Sequence, residues 1–198
     1  MASSFTTLWT NDLCRALERA GLAGKFPEAL FGGPHQSLPS FVSAGARTGD
    51  LVYPIRVHRK KLWVLGCFRI DRIAETRWIF DPGLRQLVEG DPLPERVSTV
   101  SSDWNMMRGS CYDEVVPVTG ISPLRFDRAI PGDMLGRLTY VSRRGQRTIK
   151  HVSDGEITRA VSVHGIYRLH PTSATEIGDL VTALDLETEE LQPRDQRP

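Results

Sequence analysis

GDLVYPIRVHRKKLWVLGCFRI, residues 49–70, contains the clearest β-hairpin pattern in the chain. Two apolar runs rich in β-formers, Leu51–Val57 and Leu62–Ile70, flank the basic tip His58-Arg59-Lys60-Lys61. Short apolar runs separated by a polar turn are typical of paired strands. Because Pro54 has no backbone N–H to donate, we expect its strand to lie at a sheet edge or to be bulged there.

Helix and strand patterns alternate around this hairpin. Thr10-Asn11-Asp12 before an apolar repeat predicts a capped N-terminal helix, and a second helix, amphipathic, is expected to begin at Pro171. A short helix is expected after Pro131. Further strands are predicted at 111–118, 138–142, 148–152 and 165–169. This order predicts an α+β protein with a mostly antiparallel, barrel-like sheet.

We predict one domain, residues 1–185, followed by a polar C-terminal tail, residues 186–198. The length of 198 residues, the 40% hydrophobic content and the net charge of +1 are ordinary for a soluble globular protein. The three cysteines are dispersed and form no CxxC pair, which favours a reducing compartment. With neither a signal-peptide pattern nor an apolar run of membrane-spanning length, we expect a cytoplasmic protein with no membrane partner.

Residues 49–70 resemble the opening hairpin of PUA-like β-barrel domains, with the EVE and ASCH domains as the most similar branches. The later segments LRFDRAIPGDMLGRLTYVSRRGQRTIKHV and GIYRLHPTSATEIGDL also resemble the rear part of a family of uncharacterised bacterial, especially actinobacterial, proteins. In outline the resemblance covers residues 40–180. It implies a PUA-like β-barrel with flanking helices. It also implies non-catalytic recognition of nucleic acid, often of a modified or flipped-out base.

A strip with four fixed positive charges and no acid, SRRGQRTIKHV, occupies residues 142–152. Its cationic side chains are Arg143, Arg144, Arg147 and Lys150. Arginine forks match phosphate oxygens, and Gly145 suits a turn that brings the backbone close to a ligand. These residues are therefore candidates for binding a nucleic-acid backbone. The alternative is a solvated hairpin whose arginines pair with nearby acids, Asp154 and Glu156.

Charge is unevenly distributed along the second half of the chain. Residues 136–170 contain seven Lys and Arg against two acids, and residues 171–198 contain seven acids against two Arg. Such an asymmetry is typical of a nucleic-acid-binding face with an acidic segment elsewhere. It is also compatible with an acidic segment that covers the basic face. The basic tip 58–61 strengthens the phosphate-binding hypothesis if the fold brings it close to the strip.

A base-binding pocket is predicted at SSDWN, residues 101–105. Bases held outside a helix usually stack on aromatic side chains, and polar neighbours can then bind the base edge. The candidates are Trp104, Asp103, Ser102 and Asn105. Most other aromatic residues, including Trp63 within its apolar strand, are expected in the core.

Enzymatic activity is left uncertain by the sequence, which favours a binding protein. Cys111, with Asp113 and either His151 or His164, supplies the residue types of a nucleophilic triad, so a hydrolase remains an alternative. A protein-interaction or regulatory module is a further alternative, with an acidic protein as partner. No phosphate loop, dinucleotide motif or metal-ligand spacing occurs, and we expect no cofactor and no metal.

Overall fold

The computed structural model describes residues 2–33, 39–75, 77–81, 86–90, 114–142 and 144–191. Within them lie three α-helices, α1 (Asn11–Arg19), α2 (Gly132–Arg137) and α3 (Pro171–Leu191), and a 3₁₀ turn, Ala160–Val163. The strands of the described residues are β1 (Ser4–Leu8), β2 (Ala29–Gly32), β3 (Leu51–His58), β4 (Lys61–Val64), β5 (Cys67–Ile70), β6 (Ala74–Glu75), β7 (Arg77–Asp81), β8 (Gln86–Gly90), β9 (Glu114–Ser122), β10 (Thr139–Ser142), β11 (Gly145–Thr148), β12 (Val152–Ser153), β13 (Glu156–Ile157) and β14 (Ile166–Arg168).

The main sheet has the strand order β14-β1-β3-β5-β9-β2, with β4 also paired to β3 and β6 to β9. It curls into a half-barrel, and the protein is α+β as expected. The sheet is mixed, however, because β1 runs parallel to β3 with Ser4 opposite Leu51 and Leu8 opposite Ile55. A parallel pair needs a crossover connection, which α1 and β2 supply. The prediction of a mostly antiparallel sheet therefore missed this central parallel pair.

The predicted hairpin is confirmed, with β3 paired to β4 and β5. Arg59 and Lys60 both have positive φ, 50° and 62°, as a tight hairpin turn of type I′ requires. The edge position expected from Pro54 is wrong, because β3 pairs with β1 on its other side. Pro54 instead lies at a break between β4 and β5, where its carbonyl accepts from the Leu65 amide at 2.8 Å. The interruption lies in the facing chain, between Val64 and Cys67, and β3 itself is continuous through Pro54.

Each face of the main sheet packs against a hydrophobic core. Val52 and Phe68 belong to one core with Leu17 of α1, and Tyr53 and Ile55 belong to the other. The second core also contains Leu135 of α2 and two residues of α3, Ile177 and Val181. Neighbouring residues of β3 point to opposite cores because side chains alternate along a strand. Burial on both faces explains why β3 reads as an almost continuous apolar run.

The Gly49-Asp50 turn connects β3 to the N-terminus. Gly49 has φ +88°, a conformation that favours glycine, and Asp50 is buried. One carboxylate oxygen of Asp50 accepts from the Ser3 amide at 2.7 Å, and the other accepts from the Arg47 amide at 2.9 Å. Asp50 therefore positions β1 beside β3.

All three predicted helix starts are confirmed, with α3 beginning at Pro171. Thr10 caps α1 by accepting from the Leu13 amide at 3.2 Å, and α2 begins directly after Pro131. The strand expected at 148–152 lies earlier, as β11, because Gly145 (φ +104°) turns the chain back at once and Thr148 pairs with Thr139. Sequence patterns did not indicate β1 or β2. Helix α3 continues to Leu191, into the segment predicted as a polar tail.

No helix among the described residues combines the length and apolar character needed to cross a lipid bilayer.

Replacing Asp50 by Ala is expected to lower the free energy of unfolding by about 2–3 kcal/mol, because two amide donors lose a charged acceptor. Urea unfolding followed by tryptophan fluorescence measures this change. The matched control is Asp71→Ala, since Asp71 is exposed and hydrogen-bonds only the Thr119 hydroxyl through its side chain among the described contacts. Equal stability losses in the two variants would contradict the role given to Asp50.

Candidate functional site

The basic strip forms the hairpin β10–β11 and the loop that follows it. Arg143 lies outside the described residues. Arg144 is exposed at the turn, where its amide donates to the Ser142 hydroxyl at 3.3 Å, and Lys150 is also exposed. Neither side chain makes an ion pair with an acid of the described chain. Both are available to an anionic ligand.

Arg147 differs from the rest of the strip because it is stacked on aromatic rings. Its guanidinium carbon lies 4.1 Å from the ring centroid of Tyr167 and 5.8 Å from that of Tyr140, its cross-strand partner. The Tyr167 hydroxyl donates to the His164 carbonyl at 2.7 Å, and the Tyr140 hydroxyl accepts from Thr6 at 3.2 Å. Because both rings are fixed, the stack holds the guanidinium in one orientation.

The alternative in which local acids pair with the strip finds no support among the described contacts. Glu156 pairs with Lys60 at 3.1 Å, and Asp154 accepts from the Ser153 hydroxyl at 2.9 Å. Arg147 has no ion pair with a described acid. A stacked guanidinium presents its N–H donors at its edge, so Arg147 can still bind a phosphate while it rests on Tyr167.

The fold links the strip to the second basic tip through the small hairpin β12–β13. The Ile157 amide donates to the Lys60 carbonyl at 2.7 Å, and the Thr158 amide donates to the His151 carbonyl at 2.8 Å. The Ser162 hydroxyl donates to the Lys150 carbonyl at 2.5 Å. We call the cations of these connected segments the basic surface: Arg59, Lys60, Lys61, Arg144, Arg147 and Lys150, of which Lys60 is paired with Glu156.

The acidic segment does not cover the strip through its described ion pairs. Glu176 of α3 accepts from Arg137 Nε at 2.8 Å, and Asp185 of α3 pairs with Arg128. Both arginines lie outside the strip. The alternative in which the acidic segment covers the basic face thus receives no support from the part of α3 whose side chains are described.

The predicted base pocket, Ser102, Asp103, Trp104 and Asn105, lies outside the described residues, as do Cys111 and Asp113. The two described cysteines are buried. Burial raises the pKa of the Cys14 thiol to about 12 and that of the Cys67 thiol to about 11. Since the thiolate is the reactive form, neither thiol is suited to nucleophilic catalysis at neutral pH.

A buried ion pair that the sequence did not indicate links the segment between β9 and α2 to α3. Arg128 is only 1% exposed, and its guanidinium pairs with the Asp185 carboxylate. Arg128 Nη1 also donates to the Ser122 hydroxyl at 2.8 Å, which in turn donates to Asp185 at 2.6 Å. Arg128 Nε has no hydrogen-bond partner among the described residues. Burial, with a smaller contribution from Arg125, lowers the pKa of Arg128 to about 10.

A cleft of about 890 Å³ opens beside this ion pair. Apolar side chains, among them Phe26, Ile121 and Phe126, contribute part of its lining, and Asp185 contributes a carboxylate. A smaller cavity of about 340 Å³ shares Ile121 and Asp185 as a common wall and extends under α3. Asp185 therefore belongs to two neighbouring hollows and to the buried pair.

We expect Asp185→Ala to cost about 3 kcal/mol of unfolding free energy, because it leaves the Arg128 charge buried without its counter-ion. The double variant Arg128→Met/Asp185→Leu is expected to recover most of this loss, since it removes both charges. Chemical denaturation of the wild type and the variants measures the difference. Asp133→Ala is the control, because it breaks the exposed Arg137 pair. A double variant as unstable as Asp185→Ala would argue against the desolvation account.

Comparison with known proteins leaves the family of this chain open. No protein-family model matches the sequence, and no curated protein matches it. Among solved structures, the chain is similar to one titled "Structure of Hypothetical protein from Leishmania major". The TM-score is 0.43 and the sequence identity 9%, over 93% of this chain and 98% of that chain.

Proposed function

We propose that this protein binds nucleic acid without catalysing a reaction, and that the sugar–phosphate backbone lies on the basic surface. The observation that carries the proposal is Arg147, stacked on Tyr167 at 4.1 Å with no described acid paired to it. A stacked arginine is pre-organised, so less side-chain entropy is lost when its donors bind a phosphate.

The arrangement of the neighbouring cations supports the same proposal. Hydrogen bonds through β12–β13 hold the tip at Arg59 and Lys60 next to the loop that contains Lys150. Phosphates recur at regular spacing along a nucleic-acid strand, so cations on neighbouring connected segments suit several of them. The net charge of the whole chain is close to zero, so the attraction comes from the local cluster of cations. Salt limits its range to about 10 Å at 0.1 M.

We also propose that the fold is that of a PUA-like domain. An α+β half-barrel whose central hairpin follows a Gly-Asp turn is compatible with a PUA-like domain. By that resemblance, a modified or flipped-out base would bind near Trp104 and Asp103. Phosphate contacts carry no sequence information by themselves, so such a pocket would have to supply any selectivity.

Binding to the basic surface is expected to weaken steeply with salt. Fluorescence anisotropy with labelled 20-nucleotide single- and double-stranded DNA and RNA, titrated across a salt series, measures the slope of log K against log salt. Arg144→Ala/Lys150→Ala should reduce that slope by roughly 1.4 to 1.8, because two phosphate contacts are lost.

Lys25→Ala/Arg69→Ala is the matched control, since it removes the same charge from exposed positions outside the basic surface. Arg69 lies opposite Leu51, at the far end of β3 from the His58 tip. Equal slopes for the two double variants would show that the basic surface is not the site. The nucleic acid that binds most tightly at 0.15 M salt would decide between DNA and RNA.

Arg147→Lys tests the stacked geometry separately from charge. Lysine keeps the positive charge and loses the planar fork, so affinity is expected to fall about tenfold, whereas Arg144→Lys at the exposed turn should change it less than threefold. Anisotropy at one fixed salt concentration compares the two. Identical losses would mean that Arg147 contributes charge alone.

A further inference from the structure

We infer that the 890 Å³ cleft beside Asp185 binds a small molecule in which a planar apolar body carries an amidinium, amine or similar cationic donor group. The inference does not depend on the nucleic-acid proposal. The volume of the cleft is within the usual range for small-molecule sites, roughly 300–1,000 Å³.

The apolar wall of the cleft is unusually exposed for this protein. Phe26 is 48% exposed and Ile121 is 54% exposed, and both line the same cleft. The ring of Phe26 lies directly against the backbone of Gly120, where any side chain on residue 120 would collide with it. Exposed apolar side chains that adjoin one another commonly mark a binding site, and a ring supported from behind is a surface on which a planar ligand can stack.

The polar side of the cleft includes two carboxylates, each with a buried arginine behind it. Asp185 is 26% exposed, and its partner Arg128 is 1% exposed. Glu18 is 39% exposed, and Arg56, whose Nη1 lies 3.6 Å from it, is 7% exposed. Each pair therefore presents its negative end to the cleft. A cationic donor is attracted to that end, and an anionic group is repelled by it.

The carboxylate of Asp185 is fixed in orientation and can still accept hydrogen bonds from such a ligand. One oxygen pairs with Arg128 and the other accepts from the Ser122 hydroxyl at 2.6 Å. A carboxylate has about four acceptor positions, so two remain for further donors. Asp127 and Arg125 also line the cleft, and they bond to each other at 2.5 and 2.9 Å. Among the charged lining residues of the described chain, three are acids and one is an arginine.

Titration with benzamidine, benzyl alcohol and benzoate tests the inference, since the three probes share a ring and differ in charge. Backbone amide shifts in ¹H–¹⁵N NMR spectra report binding and its location. We expect saturable binding of benzamidine, with shifts at Gly120, Ile121 and Gly24. Benzyl alcohol should bind on the order of tenfold more weakly, because it lacks a charge-assisted hydrogen bond, and benzoate more weakly still.

Variants of both walls locate the site. Asp185→Asn and Phe26→Ala are each expected to weaken benzamidine binding by on the order of tenfold, whereas Asp133→Asn, an acid paired with an arginine on α2, should leave it unchanged. Glu18→Gln provides a second acid variant should Asp185→Asn fail to fold, with a severalfold loss expected. The inference is overturned if benzoate binds as tightly as benzamidine, if these variants leave the affinity unaltered, or if the shifts cluster away from the cleft.

Discussion

The two hydrogen bonds accepted by the Asp50 carboxylate are the constraint on which the main sheet depends. They hold Ser3 and Arg47 at the beginning of β3, and the Leu51 amide then donates to the Ser3 carbonyl at 2.9 Å. As a result β1 lies parallel to β3, although the two are far apart in sequence. β3 contributes side chains to both cores, so an error in its position would disturb packing on both faces of the sheet.

At its other end, β3 supplies one part of the candidate interface. The Arg59-Lys60 turn accepts a hydrogen bond from β13, and the chain on either side of β12–β13 leads to the loop at Lys150 and to the 3₁₀ turn. Strand β3 thus connects the Asp50 turn to the basic surface through continuous hydrogen-bonded structure. That connection gives the side chains that are proposed to bind phosphate a rigid support.

The arginines of this protein fall into two environments with different physical consequences. Arg128 and Arg56 are buried, where the cost of desolvation demands counter-ions, and Asp185 and Glu18 provide them. Arg147 is half-buried and uses aromatic rings in place of an acid, which leaves its positive charge uncompensated among the described contacts. Because the counter-ions Asp185 and Glu18 also line the cleft, the first environment makes the edge of the cleft acidic. The second environment underlies the proposal that the basic surface binds phosphate.

Local sequence by itself determined the hairpin at residues 49–70, the cap of α1 and the start of α2, because each depends on neighbouring residues and on short-range turn or capping geometry. It also determined the charge of the strip. Only the tertiary structure decided that β1 pairs parallel with β3, that Arg147 stacks on Tyr167, and that Arg128 pairs with Asp185 across 57 residues of sequence. Such contacts follow from how distant segments pack, and no periodicity within one segment encodes them.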